Sequence, residues 1–274
     1  MPELPEVETA LRDLEPLLRG AEVRAVRLTW PRTLAAPTAE EFAARVVGLH
    51  FVTFARRGKY LVLGLDDGSS LIVHLRMTGR LSVEGAGAPA DAHTHLVLDL
   101  DGDRELHFRD PRKFGRVWFV QESATVLHRL GPEPWDPEFT PQALALRLAG
   151  RKASIKALLL DQSICAGIGN IYADEVLFGA GIHPARAAGT LDDDEITRLL
   201  GEIQTVLGRA VALGGSSLGQ ATTNYLRPSG EEGGFQGEHR VFRRTGQPCL
   251  QCGTPIERIV LAQRSTHYCP TCQR

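Results

Sequence analysis

The segments Cys249-Leu250-Gln251-Cys252 and Cys269-Pro270-Thr271-Cys272 hold four of the five cysteines in a chain of 274 residues. Sixteen residues separate the two pairs. Each Cys-x-x-Cys turn directs two thiolates toward one point, and a hairpin between the turns can bring the second pair round to complete a tetrahedral shell of four cysteines. The alternative is a pair of disulfides in a secreted tail, but the first residues lack the pattern of a signal peptide. We therefore predict a zinc-ribbon hairpin around one structural Zn2+ ion.

The charge of the chain is distributed unevenly around this tail. The whole sequence has 31 Lys and Arg against 33 Asp and Glu, a net charge of −2, whereas residues 236–274 carry six Arg and two Glu, a net charge of +4. Such a total gives no general basic field for holding nucleic acid. Any phosphate binding must therefore depend on individually placed cations.

The composition, 43% hydrophobic and 23% charged, is that of a globular protein with one large domain or two to three small ones. It excludes a disordered polymer. No stretch approaches the roughly 18 apolar residues that a membrane-spanning helix requires. We expect a soluble, cytoplasmic protein that does not associate with a membrane.

The first half of the chain combines one helix with a series of strands. Apolar residues recur at helical spacing before Gly20, at Val7, Leu11, Leu14 and Leu18. Runs rich in β-forming residues follow, with hairpin-type separators at 66–68 and 101–103. The predicted strands are 23–30, 46–54, 60–65, 70–75, 95–100 and 105–108. This pattern predicts an antiparallel sandwich or barrel behind an N-terminal helix.

The pattern changes after three prolines between Pro132 and Pro137, which indicate a linker. Helical periodicity then predicts four helices, at 141–149, 154–161, 171–179 and 193–213. Seven glycines between Gly214 and Gly237 follow. They indicate either a flexible connector or a binding loop.

The N-terminus carries a candidate nucleophile. Proline after the initiator favours removal of Met1, which exposes the secondary amine of Pro2. An α-amino group has a pKa of about 7.7 to 8.0, so a useful fraction is nucleophilic near neutral pH. Glu3 and Glu6 flank it, although carboxylates at a helix start are more often partners of the helix dipole.

Four further motifs have both a functional and a structural interpretation: residues 56–60, 74–79, 110–115 and 167–172. The turn 110–115 contains Phe114, which a solvent-facing turn rarely has, so this loop is a candidate for inserting a side chain. We expect Asn170 to cap a helix whose N-terminus could bind a phosphate. Taken singly, each motif is also typical of a solvated loop, a structural histidine or a simple cap.

Taken in this order, the motifs closely resemble the formamidopyrimidine-DNA glycosylases over nearly the whole chain. The resemblance rests on the start Met1-Pro2-Glu3-Leu4-Pro5-Glu6-Val7-Glu8-Thr9, on Lys59, on 74–79, 110–115 and 167–172, and on the four-cysteine tail with Gln263-Arg264-Ser265-Thr266 inside it. This start distinguishes the branch from endonuclease VIII, which typically begins Pro-Glu-Gly-Pro-Glu. Phe242 and Arg243 stand where members often have Tyr and Gly.

The resemblance implies an α+β multidomain fold: an N-terminal helix plus antiparallel β-sandwich at 1–133, a helical helix-two-turn-helix domain at 134–235 with a lesion loop near 214–235, and the zinc hairpin at 236–274. It implies a monomeric, bifunctional DNA glycosylase and abasic-site lyase of the bacterial cytoplasm, associated with the nucleoid in use. Its partner would be double-stranded DNA containing oxidised purines or abasic sites.

The resemblance also implies a role for each matching residue. Pro2 would be the nucleophile, Glu3 the proton donor and acceptor, and Glu6 a supporting residue. Lys59 belongs to the catalytic set and also, with His74, Asn170 and Arg264, to the phosphate contacts. Met77, Arg112 and Phe114 would fill the gap left by the flipped nucleotide. Arg112 and Lys156 would also contact DNA, Ser217 to Tyr225 would lie nearest the flipped base, and the zinc ligands are Cys249, Cys252, Cys269 and Cys272.

Two other functions fit the same residues. One is an endonuclease VIII-like glycosylase for oxidised pyrimidines, and the other is a non-catalytic DNA-binding protein on the same fold. Pro2 and Glu3 together favour an enzyme, because a pure binding protein needs neither an exposed amine nor a carboxylate beside it.

Overall fold

The alternating pattern of the first half produces two β-sheets around one apolar core. The structure is a computed structural model that describes residues 1–218 and 225–274. Its first nine strands are β1 (Val23–Leu28), β2 (Leu34–Ala36), β3 (Phe51–Arg57), β4 (Tyr60–Leu65), β5 (Ser70–His74), β6 (Arg80–Gly85), β7 (Thr94–Leu100), β8 (Arg104–Arg109) and β9 (Arg116–Val120). One sheet has the order β1-β7-β8-β6 and the other β2-β9-β5-β4-β3. All pairs are antiparallel except the short β2–β9 pair, so the sandwich prediction is confirmed.

Helix α1 (Leu4–Leu18) supplies one wall of this core. Its four predicted apolar residues are at most 6% exposed, and they belong to the same cluster as Leu63, Phe108 and Phe119 from the two sheets. Full burial of each such side chain stabilises the fold by about 1.5–3 kcal/mol. The packing fixes the direction in which the N-terminus leaves α1.

The strand prediction differs from the structure mainly between residues 31 and 50. The β-branched pair Val46-Val47 favoured a strand from 46, but Val46 ends helix α2 (Ala39–Val46). Phe42 and Val46 lie four residues apart on one buried face, and the Thr38 hydroxyl caps the helix by accepting the Glu41 N–H at 3.2 Å. Strands β2, β6 and β9 were not predicted. The short helix α3 (Ala124–Leu127) follows β9.

The second half contains the four predicted helices: α4 (Pro141–Leu148), α5 (Ile155–Leu160), α6 (Asn170–Ala180) and α7 (Asp193–Ala212). The chain forms two compact units, one of residues 1–128 and 214–233 and one of residues 129–213 and 234–274. Among the described helices, none has the length and apolarity that crossing a membrane requires.

The predicted hairpin lies between the cysteine pairs. Strands β10 (Glu257–Leu261) and β11 (Arg264–Tyr268) pair with Leu261 opposite Arg264, which leaves Ala262 and Gln263 as a two-residue turn. Their φ angles of 46° and 60° lie in the left-handed region. Residues other than glycine pay about 1–2 kcal/mol each for that conformation, so the turn before Arg264 is strained.

We expect Gly79→Ala to destabilise the sandwich, because an added Cβ would lie 2.4 Å from the backbone oxygen of Leu75. The Gly79 N–H donates to that same oxygen at 2.9 Å, so neither group can move away independently. The expected loss is about 1–3 kcal/mol in the free energy of unfolding, measured by urea denaturation. Gly85→Ala is the matched control at the other end of β6, where a Cβ would meet no atom of residues 1–218 or 225–274 within 4 Å. Equal unfolding midpoints for the two variants would contradict the prediction.

Candidate functional site

The predicted nucleophile and its neighbouring carboxylate lie immediately before α1. Pro2 is buried, and Glu3 and Glu6 are 2% and 1% exposed. The Glu3 N–H donates to Glu6 Oε2 at 2.8 Å. Pro5 in the first turn favours the helical backbone directly after them. The N-terminal residues are therefore held by α1 itself rather than left as a loose end.

The second oxygen of Glu6 holds the start of the glycine-rich segment. Glu6 Oε1 accepts the Ser216 N–H at 2.7 Å. Gly215, with φ 78°, makes this possible, because a Cβ at that position would lie 2.6 Å from Glu6 Oε1. One buried carboxylate thus connects the backbone of Glu3 to the backbone of Ser216.

The other end of the segment is attached to α1 as well. The Tyr225 hydroxyl donates to the Glu6 carbonyl oxygen at 2.9 Å, and Arg227 forms a two-bond ion pair with Asp13 at 2.8 and 2.9 Å. Burial and then the Glu6 carboxylate raise the pKa of Tyr225 well above its usual value, so its hydroxyl stays a neutral donor. The range predicted to lie nearest the flipped base, Ser217 to Tyr225, includes residues 219–224, which lie outside the described residues.

Lys59 and His74 come together at one end of the five-stranded sheet. Lys59 occupies the two-residue turn between β3 and β4, Tyr60 pairs with His74, and the Lys59 and His74 residues are 5% and 6% exposed. Burial, followed by the charges of Arg76 and Lys59, lowers the pKa of His74 to about 3. Its Nδ1 accepts the Arg76 N–H at 3.0 Å, so the ring proton lies on Nε2. His74 is therefore a neutral hydrogen-bond donor at physiological pH.

The three predicted gap-filling residues protrude together. Met77 is 42% exposed, Phe114 is 48% exposed, and Arg112 is also exposed. Arg112 Nη1 lies 3.0 Å from Met77 Sδ, and its guanidinium carbon lies 4.7 Å from the centre of the Phe114 ring. The β5–β6 loop and the β8–β9 loop thus together present one apolar and cationic wedge.

Asp110, for which sequence reasoning found no role, holds these two loops in register. Its carboxylate is fully buried and accepts the Gly115 N–H at 2.6 Å, the Arg112 N–H at 3.2 Å and the hydroxyl of Thr78. The first two bonds lie within the Phe114 loop, and the third comes from the Met77 loop. Sequence spacing could not reveal this, because Thr78 and Asp110 are 32 residues apart.

The Asn170 cap prediction is wrong. The N-cap of α6 is Gly169, and Asn170 is the first helical residue. Its Nδ2 donates to the Ser265 carbonyl oxygen at 3.0 Å, because the hairpin lies against the start of α6. Its Oδ1 is buried and has no hydrogen-bond partner among the described residues. An amide nitrogen carries two hydrogens, so Nδ2 can donate its second one to a phosphate oxygen.

Lys156 is fully buried, and its ammonium is directed at protein groups. It donates to Asp174 Oδ1 at 2.6 Å, to Thr266 Oγ1 at 2.9 Å and to the Ser265 carbonyl oxygen at 3.0 Å. Arg264, one residue before Ser265, is exposed at the start of β11. Sequence reasoning missed Asp174, although an acidic pair, Asp174-Glu175, inside an otherwise apolar helix is a usable signal.

The four predicted zinc ligands form one cluster. Their sulfurs all lie within 4.8 Å of one another, with Cys249 Sγ and Cys272 Sγ 3.9 Å apart and Cys252 Sγ and Cys269 Sγ 3.5 Å apart. Tetrahedral zinc with Zn–S bonds of about 2.3 Å places its sulfurs roughly 3.8 Å apart. The cluster fits one zinc ion, and four thiolates leave no open position for substrate, so the zinc prediction is confirmed as a structural site.

Three family models match this chain in succession. They are the formamidopyrimidine-DNA glycosylase N-terminal domain at residues 1–117, the formamidopyrimidine-DNA glycosylase H2TH domain at 130–222, and a zinc finger found in FPG and IleRS at 246–274. The second match confirms the helix-two-turn-helix prediction. Together they follow the order that the motifs predicted.

Relatives match over the full length. The formamidopyrimidine-DNA glycosylase of Herpetosiphon aurantiacus is 49% identical and is covered completely, as is this chain. The crystal structure of MutM (Fpg) from Thermus thermophilus is 43% identical with a TM-score of 0.90, covering 99% of this chain and 98% of that one. The Lactococcus lactis Fpg in complexes with abasic-site DNA and with Fapy-dG DNA is 36% identical with a TM-score of 0.91, covering 99% of this chain and at least 99% of those. The chain belongs to the formamidopyrimidine-DNA glycosylase family.

Proposed function

We propose that the protein excises oxidised purines, namely 8-oxoguanine and formamidopyrimidines, from double-stranded DNA and then cleaves the strand at the abasic site. The observation that carries the proposal is the buried Pro2-Glu3 pair, fixed before α1 by the Glu6 carboxylate. The complexes of the Lactococcus lactis relative with Fapy-dG and abasic-site DNA support the substrate class.

The proposed chemistry begins at Pro2. Once Met1 is removed, the secondary amine of Pro2 attacks C1′ of the damaged nucleotide, the C1′–N bond breaks, and the base leaves with the proton that the amine gives up. The C1′–O4′ bond then opens, and Glu3 supplies the proton for O4′. A secondary amine has no second N–H to lose, so the product is a cationic iminium. This cation acidifies the C2′ proton, and β-elimination followed by δ-elimination expels the two flanking phosphates.

The proposed DNA contacts use both charged and neutral donors. Lys59 and Arg264 bring charge, and His74 and Asn170 donate as neutral groups, as does the backbone at a helix start. The wedge of Met77, Arg112 and Phe114 takes the place of the flipped nucleotide, whose extrusion costs a few kcal/mol. A chain of net charge −2 can then bind DNA through placed contacts.

We divide the chain into a catalytic sandwich at 1–133, a DNA-binding helical part at 134–235 and a zinc finger at 236–274, acting as a monomer on nucleoid DNA in the cytoplasm.

Duplexes carrying 8-oxoguanine opposite cytosine should react faster than duplexes carrying thymine glycol. The reverse order would favour an endonuclease VIII-like enzyme, and no reaction with either would favour a binding protein.

We expect sodium borohydride to trap a covalent complex between the protein and 8-oxoguanine DNA, because an iminium is reducible. Mass spectrometry should place the adduct on the α-nitrogen of Pro2. The same chain with Met1 retained is the control and should give no complex. An adduct on Lys59 or Lys156 would contradict the role of Pro2.

Glu3→Gln should bind lesion DNA normally and lose excision by about 10²–10⁴-fold, because an amide keeps the shape of the carboxyl group but transfers no proton. Single-turnover kinetics give the excision rate directly. Glu8→Gln is the matched control: it makes the same change in another carboxylate of α1, one that pairs with Arg12 and Arg56, both at 2.9 Å. Excision at the wild-type rate by Glu3→Gln would remove Glu3 from the mechanism.

Cys269→Ser should release zinc and abolish DNA binding while the sandwich stays folded. A structural zinc ion supplies on the order of 10 kcal/mol to a small hairpin, whereas the sandwich has its own core. Metal analysis, circular dichroism and a binding assay measure the three properties. Cys165→Ala, a buried cysteine outside the cluster, should retain zinc and binding. Normal binding by zinc-free Cys269→Ser would show that the hairpin is dispensable.

A further inference from the structure

A buried polar network in the second unit attaches helices α5 and α6 to β11. Its centre is the ion pair between Lys156 Nζ and Asp174 Oδ1 at 2.6 Å, in which both side chains are completely buried. A buried pair of this kind is often no more stabilising than apolar side chains of the same size. Stability alone therefore does not explain why charges occupy this position.

Both partners use their remaining hydrogen-bonding capacity on the hairpin. Lys156 donates to the Ser265 carbonyl oxygen and to Thr266 Oγ1. Asp174 Oδ2 accepts two hydrogen bonds from His267, one from its backbone N–H and one from its ring Nδ1, both at 3.0 Å. Since a carboxylate only accepts, the His267 ring carries a proton on Nδ1.

These bonds hold three consecutive residues, Ser265 to His267, directly after Arg264. The Ser265 carbonyl oxygen also accepts a hydrogen bond from Asn170 Nδ2. Asn170, the proposed phosphate contact on α6, therefore belongs to the same network. The other end of β11 leads into the zinc ligand Cys269. Zinc thus holds the base of the hairpin, and the network holds its tip, next to the strained turn at Ala262 and Gln263.

We infer that Asp174 is a positioning residue for phosphate binding, and that it acts through Lys156 and His267 to fix Arg264 and Asn170 relative to one another. Lys156 is the buried counterion of Asp174, so it supports the proposed DNA contact without touching DNA itself. The inference rests on the proposed function, because Arg264 and Asn170 are proposed phosphate contacts.

The test measures binding to a duplex with a tetrahydrofuran abasic-site analogue, which offers no leaving group at C1′, at several KCl concentrations. The variants are Arg264→Ala, Asp174→Asn, and both together. Glu257→Gln is the matched control: it also removes one negative charge, from the same hairpin, where Glu257 accepts the Tyr268 hydroxyl at 2.7 Å. Zinc content is measured for each variant, to show that the ribbon is intact.

We expect Arg264→Ala to weaken binding by roughly 10–100-fold and to reduce the salt slope by about 0.9, the value for one phosphate contact. Asp174→Asn should retain zinc and reproduce both changes, although removing a negative charge alone should strengthen DNA binding. Adding Arg264→Ala to Asp174→Asn should cost less than about threefold more, because the two act on one contact. Glu257→Gln should bind at least as tightly as the wild type, because it removes a negative charge without touching the network. Full additivity, or wild-type binding by Asp174→Asn, would overturn the inference.

Asp174→Asn leaves the Lys156 ammonium buried without a charged partner, which can unfold the unit. The second variant, Lys156→Met with Asp174→Val, replaces both charges by apolar groups and should fold with zinc bound. It should show the same loss of affinity and slope, and wild-type binding by it would overturn the inference. If the wild type itself binds the tetrahydrofuran duplex no better than undamaged DNA, the proposed function fails instead, independently of how the variants compare.

Discussion

The carboxylate of Glu6 is the contact on which the rest of the candidate active site depends. One oxygen accepts the Glu3 N–H and the other accepts the Ser216 N–H, although these residues are more than two hundred positions apart. A buried carboxylate is costly unless its lone pairs are used, and here they are used on backbone groups that otherwise need partners themselves. The result is that the residue next to the proposed nucleophile and the first residues of the glycine-rich segment cannot move independently.

The same device recurs on α6, where Glu175 binds the segment that leads into the zinc ribbon. Its oxygens accept the N–H groups of Arg240, Val241 and Phe242 at 2.9, 3.0 and 2.8 Å. Burial raises the pKa of Glu175, and the three backbone bonds oppose that rise. Arg243 follows with φ 59°, at the position where the family often has glycine. Three fixed residues before it can impose a backbone conformation that an arginine would otherwise avoid.

The sequence predicted most of this protein for a physical reason. Metal ligands and residues proposed for catalysis or insertion are restricted in type and spacing, so Pro2, the Phe114 loop and the cysteine pairs could be recognised as motifs. Hydrophobic periodicity located α1, four later helices and strands such as β4. The prediction failed at α2, where β-branched residues indicated a strand. The packing of Phe42 and Val46 on one helix face outweighs that intrinsic propensity. The sequence shows Asp110 and Asp174 as residues but not what they do, because they hydrogen-bond to partners 32 and 93 residues away.

The proposed phosphate donors explain how a chain of net charge −2 can take part in DNA recognition. His74 is held neutral with its proton on Nε2, and Asn170 offers a neutral amide, so neither adds a positive charge. Neutral donors orient a phosphate without releasing counterions, whereas each cation contributes to affinity in a salt-dependent way. Few cations at fixed positions therefore give weak attraction to DNA in general and leave discrimination to geometry. Geometry of that kind requires rigid supports, and we assign that part to the buried carboxylates of Glu6, Asp110 and Asp174.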